Sequence, residues 1–237
     1  MNLVAFFDIE TNAETGKILD IGCIRSDDAR FHKNSIAEFQ KFIKDCTFIC
    51  GHNIIRHDLK YLKEQAVNFN LTNLKPIDTL LLSPLLFPKR PYHRLLKDDK
   101  IQTDEKNNPF NDSVKAKELF IDEVDKFDRL EETLKIIFYS LLGNIDGYAP
   151  FFEYINFKTK LEPTELEKLI KKELIKKICH DCDLLSPINL NPVSLAYALA
   201  LIDCDDRYSI TPPWILKTHP DVEQLYFLLC NNPCVTG

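Results

Sequence analysis

Two acidic residues near the N-terminus are the first candidates for chemistry. Asp8 and Glu10 follow a short apolar run that begins at Leu3. In a β-strand, side chains two residues apart point to the same face, so these carboxylates are expected to lie side by side. Two such groups repel each other unless a cation neutralises them, and Mg²⁺ or Mn²⁺ prefers oxygen ligands. The spacing predicts a divalent-metal site, although an Asp-x-Glu sequence alone fits a strand that ends in solvated acids equally well.

A third acid stands in a longer motif further along the chain. The sequence places Gly-His-Asn directly after a short apolar strand at residues 48–50, and Asp58 follows a few residues later. Leu59 and Leu62 have the spacing of the buried face of a helix, so Asp58 is expected near the start of that helix. If the helix packs beside the first strand, Asp58 joins Asp8 and Glu10 in one acidic site.

The composition limits how such a site can act. The chain has 237 residues, of which 45% are hydrophobic, which is enough for one large domain or for a catalytic domain with a smaller one. A net charge of −6 disfavours broad attraction to nucleic acid, so polyanion binding needs local basic residues or metal ions. The apolar runs are too short to span a membrane, and the eight cysteines follow no regular framework, which predicts a cytoplasmic protein with reduced, mostly buried thiols.

The acids must be positioned by an α/β arrangement. Apolar runs predict strands at residues 3–7, 18–25, 30–33 and 48–50. Helical spacing and capping residues predict helices at 35–44, from 58 onward, at 79–86, at 92–97 and at 112–127, with a loop at 101–111 before the last of these. The remaining sequence is mostly helical. We therefore predict an α/β domain at 1–145 and a smaller, mainly helical domain at 146–237.

Several of these motifs resemble one known family. Phe7-Asp8-Ile9-Glu10-Thr11 resembles the first motif of the DEDD, or DnaQ-like, 3′→5′ exonuclease superfamily, and the segment around Asp58 resembles the second. The segment 18–22 resembles the family strand that reads I-x-E-I-G, and Asp78-Thr79 resembles a later landmark, which we interpret as a helix cap without a catalytic role. The resemblance covers about residues 1–130 and implies an RNase H-like mixed sheet flanked by helices.

The third family motif has two possible placements. The histidine branch of the superfamily has a histidine, four residues and then an aspartate on a helix. His93 and Asp98 have this spacing, but a polar loop follows them. The segment that begins at Asp112 resembles the family helix itself, with Asn107 in place of the histidine. We favour Asp112 over Asp98, because a metal ligand at this position needs a helix that packs on the sheet.

Asn107 at the histidine position affects how the attacking water could be activated. Its amide cannot accept a proton as a neutral imidazole does, so the usual general base is missing in this placement. Either His93 or another histidine reaches the water, or the metals alone activate it, or the site is weak or inactive. These alternatives stay open at the level of sequence.

The resemblance implies a metal-dependent hydrolase. Asp8, Glu10, Asp58 and Asp112 are expected to bind two Mg²⁺ or Mn²⁺ ions, with His93 as a further catalytic candidate, and to release nucleoside 5′-monophosphates from a single-stranded DNA 3′ end. One alternative is a weak or inactive exonuclease-like module that binds nucleic-acid ends or a protein partner. Another is an RNA-processing exonuclease, since the sequence does not separate DNA from RNA.

The rest of the chain carries weaker signals. Over its length the sequence also resembles the region ahead of a RecQ-like helicase core in some bacterial proteins, which implies a DNA-repair role and a downstream helicase domain in the same polypeptide. Within the chain there is no Gly-x-x-x-x-Gly-Lys-Ser/Thr phosphate loop. Cys179 and Cys182, like Cys230 and Cys234, are spaced as zinc ligands can be, but buried or incidental thiols are the favoured interpretation. The lysine-rich stretch 164–178 reads as a solvated helix face.

Overall fold

The computed structural model describes residues 3–65, 72–93, 95, 108–204 and 214–230. The chain forms two compact units that alternate along the sequence. The first unit comprises Met1–Leu81 and Arg94–Val124, and the second comprises Leu82–His93 and Asp125–Gly237. The predicted domain boundary between residues 145 and 146 stays a prediction.

The first unit is built on a five-stranded mixed sheet with the order β3-β2-β1-β4-β5. The central strand β1 pairs with β2 in antiparallel fashion and with β4 in parallel fashion. The outer pairs are β2 with β3, which is antiparallel, and β4 with β5, which is parallel. The strands are β1 (Val4–Thr11), β2 (Ile18–Arg25), β3 (Arg30–His32), β4 (Phe48–Gly51) and β5 (Lys75–Asp78). An α/β fold with a mixed sheet flanked by helices is thereby confirmed.

One face of this sheet carries an apolar core. Phe7 on β1 packs against Phe39 with ring centroids 5.2 Å apart, and Phe39 in turn contacts Phe31 at 5.7 Å. Phe39 belongs to helix α1 (Ile36–Ile43), whose N-cap is Ser35, as predicted. Helix α2 (Asp58–Gln65) contributes Leu59 and Leu62 to the same cluster. Strand alternation leaves Asp8 and Glu10 on the opposite face.

Helix α4 (Pro109–Asp128) packs on that opposite face of the sheet. Phe120 of this helix contacts Phe6 of β1 with ring centroids 5.7 Å apart. The helix begins three residues earlier than the predicted start at residue 112, so the predicted loop is wrong at residues 109–111. The reason is local: the Asn108 side chain accepts a hydrogen bond from the Phe110 N–H at 3.0 Å, and Pro109 suits the first helical turn.

Helix α3 (Thr79–Leu86) forms where it was predicted, but the helix predicted at residues 92–97 is wrong at its start. Tyr92 and His93 are not helical; of the rest of that segment, residues 94, 96 and 97 lie outside the described residues. The His93 ring is fixed by Ser83 and Trp214, and these tertiary contacts outweigh the helix-start signal of Pro91.

The described part of the second unit is helical. Its most buried element is α9, in which every residue from Leu195 to Ile202 is buried. The lysine-rich helix α7 ends at Glu173, earlier than predicted, and Lys176 adopts a positive φ of 70° shortly after it. The helices are α5 (Glu132–Leu142), α6 (Ala149–Tyr154), α7 (Pro163–Glu173), α8 (Leu185–Leu190), α9 (Pro192–Asp203), α10 (Trp214–Thr218) and α11 (Pro220–Cys230).

Two further features agree with the composition. Among the described residues, no helix combines the length and the apolar character needed to cross a membrane. The cysteines of the described segments are all free, and five of them are buried. The prediction of mostly buried thiols is confirmed for this part of the chain.

Candidate metal site

Three carboxylates come together on the face of the sheet that helix α4 covers. Asp8 and Glu10 project from β1, and Asp112 projects from the first turn of α4. Each offers one oxygen atom, and these oxygen atoms all lie within 4.8 Å of one another. All three residues are half-buried. Because hard divalent cations bind carboxylate oxygens, this cluster can hold a metal ion. It contains three of the four acids predicted as ligands.

Gly22 determines how closely Asp112 approaches the strand. Gly22 lies directly opposite Asp8 in the β1–β2 pairing. A Cβ atom at position 22 would lie 2.0 Å from the Phe110 nitrogen and 2.2 Å from the Pro109 carbonyl carbon. No side chain fits in this space, so the backbone at the start of α4 packs directly on β2. Asp112 is therefore held close to Asp8 by a contact between backbones.

The sequence motifs do not indicate this role of Gly22, because they place the residue only in a family-like strand. The position of Gly22 in the predicted strand is the one local sign of this role. In the antiparallel hairpin, Gly22 pairs with Asp8, and a glycine in a strand interior often marks the close approach of another backbone. The partner in that approach, the start of α4, is far away in sequence and leaves no local signal.

Asp58 lies next to the cluster but is engaged differently. It is 1% exposed, and its Oδ1 accepts a hydrogen bond from the Ile9 N–H at 2.9 Å. Ile9 separates Asp8 and Glu10, so Asp58 fixes the backbone of β1 at the residue between the two ligands. Asp58 is not among the carboxylates that lie within 4.8 Å of one another in the described part of the chain. Its assignment as a fourth metal ligand stays a prediction.

His57 adds an imidazole beside these acids. Its Nδ1 lies 3.4 Å from Asp58 Oδ2, and its ring meets Tyr61 edge-on at 5.0 Å. The Asp58 carboxylate is the main cause of a raised pKa for His57, and Glu10 raises it further. The neighbouring carboxylates therefore stabilise the protonated form of His57 relative to that of a free imidazole.

Asp78 fixes the turn that leads to Asp58. Its carboxylate accepts backbone hydrogen bonds from Asn53 at 2.8 Å, Ile55 at 3.1 Å and Leu80 at 3.0 Å. Asn53 has a φ of 67°, so the turn adopts a conformation that needs such support. Burial raises the pKa of Asp78, and the three N–H donors oppose that shift. The interaction with Leu80 agrees with the predicted helix cap, and the other two extend it to the β4–α2 turn.

His93 occupies a different environment. It belongs to the second unit and is 3% exposed. Its Nδ1 lies 2.8 Å from the Ser83 hydroxyl oxygen, and its ring packs edge-on against Trp214 at 5.4 Å. These contacts give His93 a packing role, and its catalytic role stays a prediction. Asp98 and Asn107 lie outside the described residues.

The candidate zinc ligands form no comparable group. Cys179 and Cys182 are buried, and the Cys179 N–H donates to the Leu229 carbonyl at 2.8 Å, which brings the turn near Cys230. Among the described residues, however, no cysteine belongs to a group of three ligand atoms within 4.8 Å. Cys234 lies outside the described residues.

Comparison with known proteins adds no relative. No protein-family model matches the chain, and neither the curated proteins nor the solved structures contain a match. The resemblance to the exonuclease superfamily therefore rests on the sequence motifs, and membership of that family stays a prediction.

Proposed function

We propose that this chain is a metal-dependent 3′→5′ exonuclease that acts on single-stranded DNA ends. The observation that carries the proposal is the meeting of Asp8, Glu10 and Asp112 within 4.8 Å. These residues come from two motifs that are far apart in sequence and that the resemblance assigns to one active site. A strand end with solvated acids does not explain why a distant helix contributes the third carboxylate.

The fold is compatible with this proposal. The RNase H-like architecture implied by the resemblance needs a mixed sheet with the first acids on a central strand, and β1 lies in the middle of the order β3-β2-β1-β4-β5. It also needs a helix that brings a further acid to that strand, as α4 does. The motifs and the topology thus point to the same class of site.

In this proposal, different residues bind the metal, position the strand and contact phosphate. Asp8, Glu10 and Asp112 would hold Mg²⁺ or Mn²⁺, with Asp58 as the predicted fourth ligand of a two-ion site. When bound, the metal ions would supply a water of lowered pKa and would neutralise the negative charge of the phosphodiester. Asp58 keeps the β1 backbone in place through the Ile9 N–H. His57, in its protonated form, would offer a positive charge to phosphate beside Asp58.

A second candidate is an exonuclease-like module that binds a nucleic-acid end or a protein partner without cleaving it. The observation that favours it is Asn107, which stands at the position of the family's histidine in the favoured placement of the third motif. Such a module would keep the metal cluster and lack a residue that accepts the proton of the attacking water.

The deciding experiment compares two variants of the cluster with one control. Asp8→Asn and Asp112→Asn remove a ligand charge, and Asp122→Asn makes the same change on the exposed face of α4. Mn²⁺ affinity is measured by calorimetry. Shortening of 5′-labelled and 3′-labelled single strands, both DNA and RNA, is followed in Mg²⁺, Mn²⁺ and EDTA.

We expect Asp8→Asn and Asp112→Asn to weaken Mn²⁺ binding by about tenfold or more and to abolish shortening, and Asp122→Asn to change neither. Metal binding that depends on Asp8 without any shortening supports the binding module. If Asp8→Asn binds Mn²⁺ as the unaltered protein does, the metal site itself is wrong.

A further inference from the structure

The exposed guanidinium of Arg30 lies near the start of helix α4, and none of the carboxylates that the structure describes forms a salt bridge with it. It lies 5.7 Å from the centre of the Phe110 ring. Three other basic residues of this unit already form salt bridges. Arg25 pairs with Asp27, Lys33 with Glu38 at 2.6 Å and Lys117 with Asp28 at 2.8 Å. Arg30 is thus available to a ligand from solution.

The strand register places Arg30 on the same face as the acidic cluster. His32 on β3 is opposite Gly22, and Gly22 is opposite Asp8, so these three residues form one row across the sheet. Arg30 lies two residues before His32 and points to the same face. Neighbouring strands are about 4.8 Å apart, so the β3 end of the row lies roughly 10 Å from the Asp8 end.

An aromatic surface accompanies this guanidinium. The His32 ring stacks on Phe110 with centroids 6.0 Å apart and an interplanar angle of 25°. His32 also contacts Asp20 at 2.6 Å, which fixes the orientation of the imidazole. Arg30 and His32 are both exposed, and Phe110 is half-buried. The start of α4 therefore has metal-ligating Asp112 close by and an arginine–aromatic cluster toward β3.

We propose that Arg30, His32 and Phe110 form a subsite for the nucleic-acid strand that the metal site cleaves. Arg30 binds a backbone phosphate through its planar fork of N–H donors, and His32 and Phe110 offer ring surface to a base. Because the chain has a net charge of −6, a strand needs such a local cation near the acidic cluster. This inference rests on the proposed function.

The distance between the metal site and the subsite determines which substrates can contact both. A stacked strand advances by about 3.4 Å per nucleotide, so the roughly 10 Å between the Asp8 and His32 ends of the row corresponds to about three nucleotides from the scissile phosphate, and Arg30 lies two residues further along β3. A mononucleotide ester reaches the metal site alone. An oligonucleotide reaches both sites, so Arg30 contributes to binding the oligonucleotide and not the ester.

The test measures binding and cleavage separately. Affinity for fluorescent dT10 and rU10 is measured by anisotropy in Ca²⁺, over a range of salt concentrations. Cleavage in Mn²⁺ is measured with the mononucleotide ester thymidine 5′-(p-nitrophenyl) phosphate. The variants are Arg30→Ala and Arg30→Lys, with Arg129→Ala as an exposed arginine control from the second unit. Circular dichroism verifies that each variant is folded.

We expect Arg30→Ala to weaken oligonucleotide binding by about tenfold. The slope of log affinity against log salt concentration should become shallower by about 0.7, the value for one lost phosphate contact on a single strand. Arg30→Lys keeps the positive charge but lacks the planar fork of N–H donors, so its oligonucleotide affinity should lie between those of the unaltered protein and Arg30→Ala. Arg129→Ala should bind the oligonucleotide as the unaltered protein does. Cleavage of the ester is unchanged in all three variants.

Two results overturn the subsite. One is oligonucleotide affinity that is unchanged in Arg30→Ala, and the other is an equal loss of oligonucleotide binding and ester cleavage, which would place Arg30 at the metal site. Failure of the proposed function looks different. If the unaltered protein shortens no strand while oligonucleotide binding depends on Arg30, the nuclease proposal fails, and Arg30, His32 and Phe110 remain a strand-binding site without cleavage.

Discussion

The two units differ in what they bury. The acidic residues that are buried in the described part of the chain, Asp58, Asp78 and Glu123, all belong to the first unit. The second unit buries apolar residues along α9 and aromatic rings such as Phe151 and Phe152. Burying a carboxylate is unfavourable unless hydrogen bonds compensate, and Asp58 and Asp78 both accept backbone N–H groups. The first unit, which carries the candidate metal site, thus buries acidic groups, whereas the burial described in the second unit is mainly apolar.

The largest expected effect on stability comes from the apolar core of the second unit. Leu199 is fully buried in α9, so Leu199→Ala removes its packing and leaves a cavity. We expect a loss of about 2–5 kcal/mol in the free energy of unfolding, measured by urea denaturation. Mn²⁺ affinity of the folded protein should stay the same, because no cluster residue lies in this unit. A parallel loss of metal affinity would contradict the division of roles.

Gly22→Ala should lower metal affinity strongly and stability to a smaller extent than Leu199→Ala does. The added Cβ would lie 2.0 Å from the Phe110 nitrogen, so the start of α4 and with it Asp112 must move away from β1. We expect Mn²⁺ affinity to fall by about tenfold or more, with a loss of about 1–3 kcal/mol in stability.

The matched control for Gly22→Ala is Gly16→Ala. Gly16 has a φ of 68°, so an alanine there strains the backbone and lowers stability without touching α4. The control should lose stability and keep its Mn²⁺ affinity. If both variants lose metal binding to the same degree, general destabilisation explains the result and the positioning role of Gly22 is wrong.

Asp78→Asn examines a buried acid outside the cluster. The amide keeps one acceptor oxygen and turns an NH2 group toward one of the three backbone N–H donors that Asp78 now binds. We expect a loss of about 1–3 kcal/mol, measured by denaturation, together with faster hydrogen exchange in the turn at residues 53–55. A variant as stable as the unaltered protein would show that Asp78 does not hold this turn.

The smallest effect is expected for a hydroxyl pair in the second unit. The Tyr148 and Tyr197 hydroxyl oxygens lie 2.6 Å apart in a buried position. Tyr197→Phe should cost about 1 kcal/mol, because it leaves the Tyr148 hydroxyl without this partner. The double change with Tyr148→Phe should cost less than the sum of the single changes, since both polar groups are then gone. Additive losses would contradict a direct hydrogen bond.

Much of the first unit follows from local patterns. The strand at residues 18–25 and the Ser35 cap of α1 were predicted where the structure has them, because alternation and capping act between neighbouring residues. The helix predicted at residues 92–97 failed at Tyr92 and His93 for the opposite reason. Contacts with Ser83 and Trp214, which are distant in sequence, set the backbone there.

The sequence by itself determined the chemical character of the site: two acids on one face of a strand, and further acids near the starts of helices. Only the tertiary structure decided which of them meet. Asp112 reaches Asp8 because Gly22 leaves room for the backbone of α4, while Asp58 binds the Ile9 N–H and lies outside the three-residue cluster. Side-chain periodicity fixes the face on which a residue lies, but its distance from another element depends on packing between segments far apart in the chain.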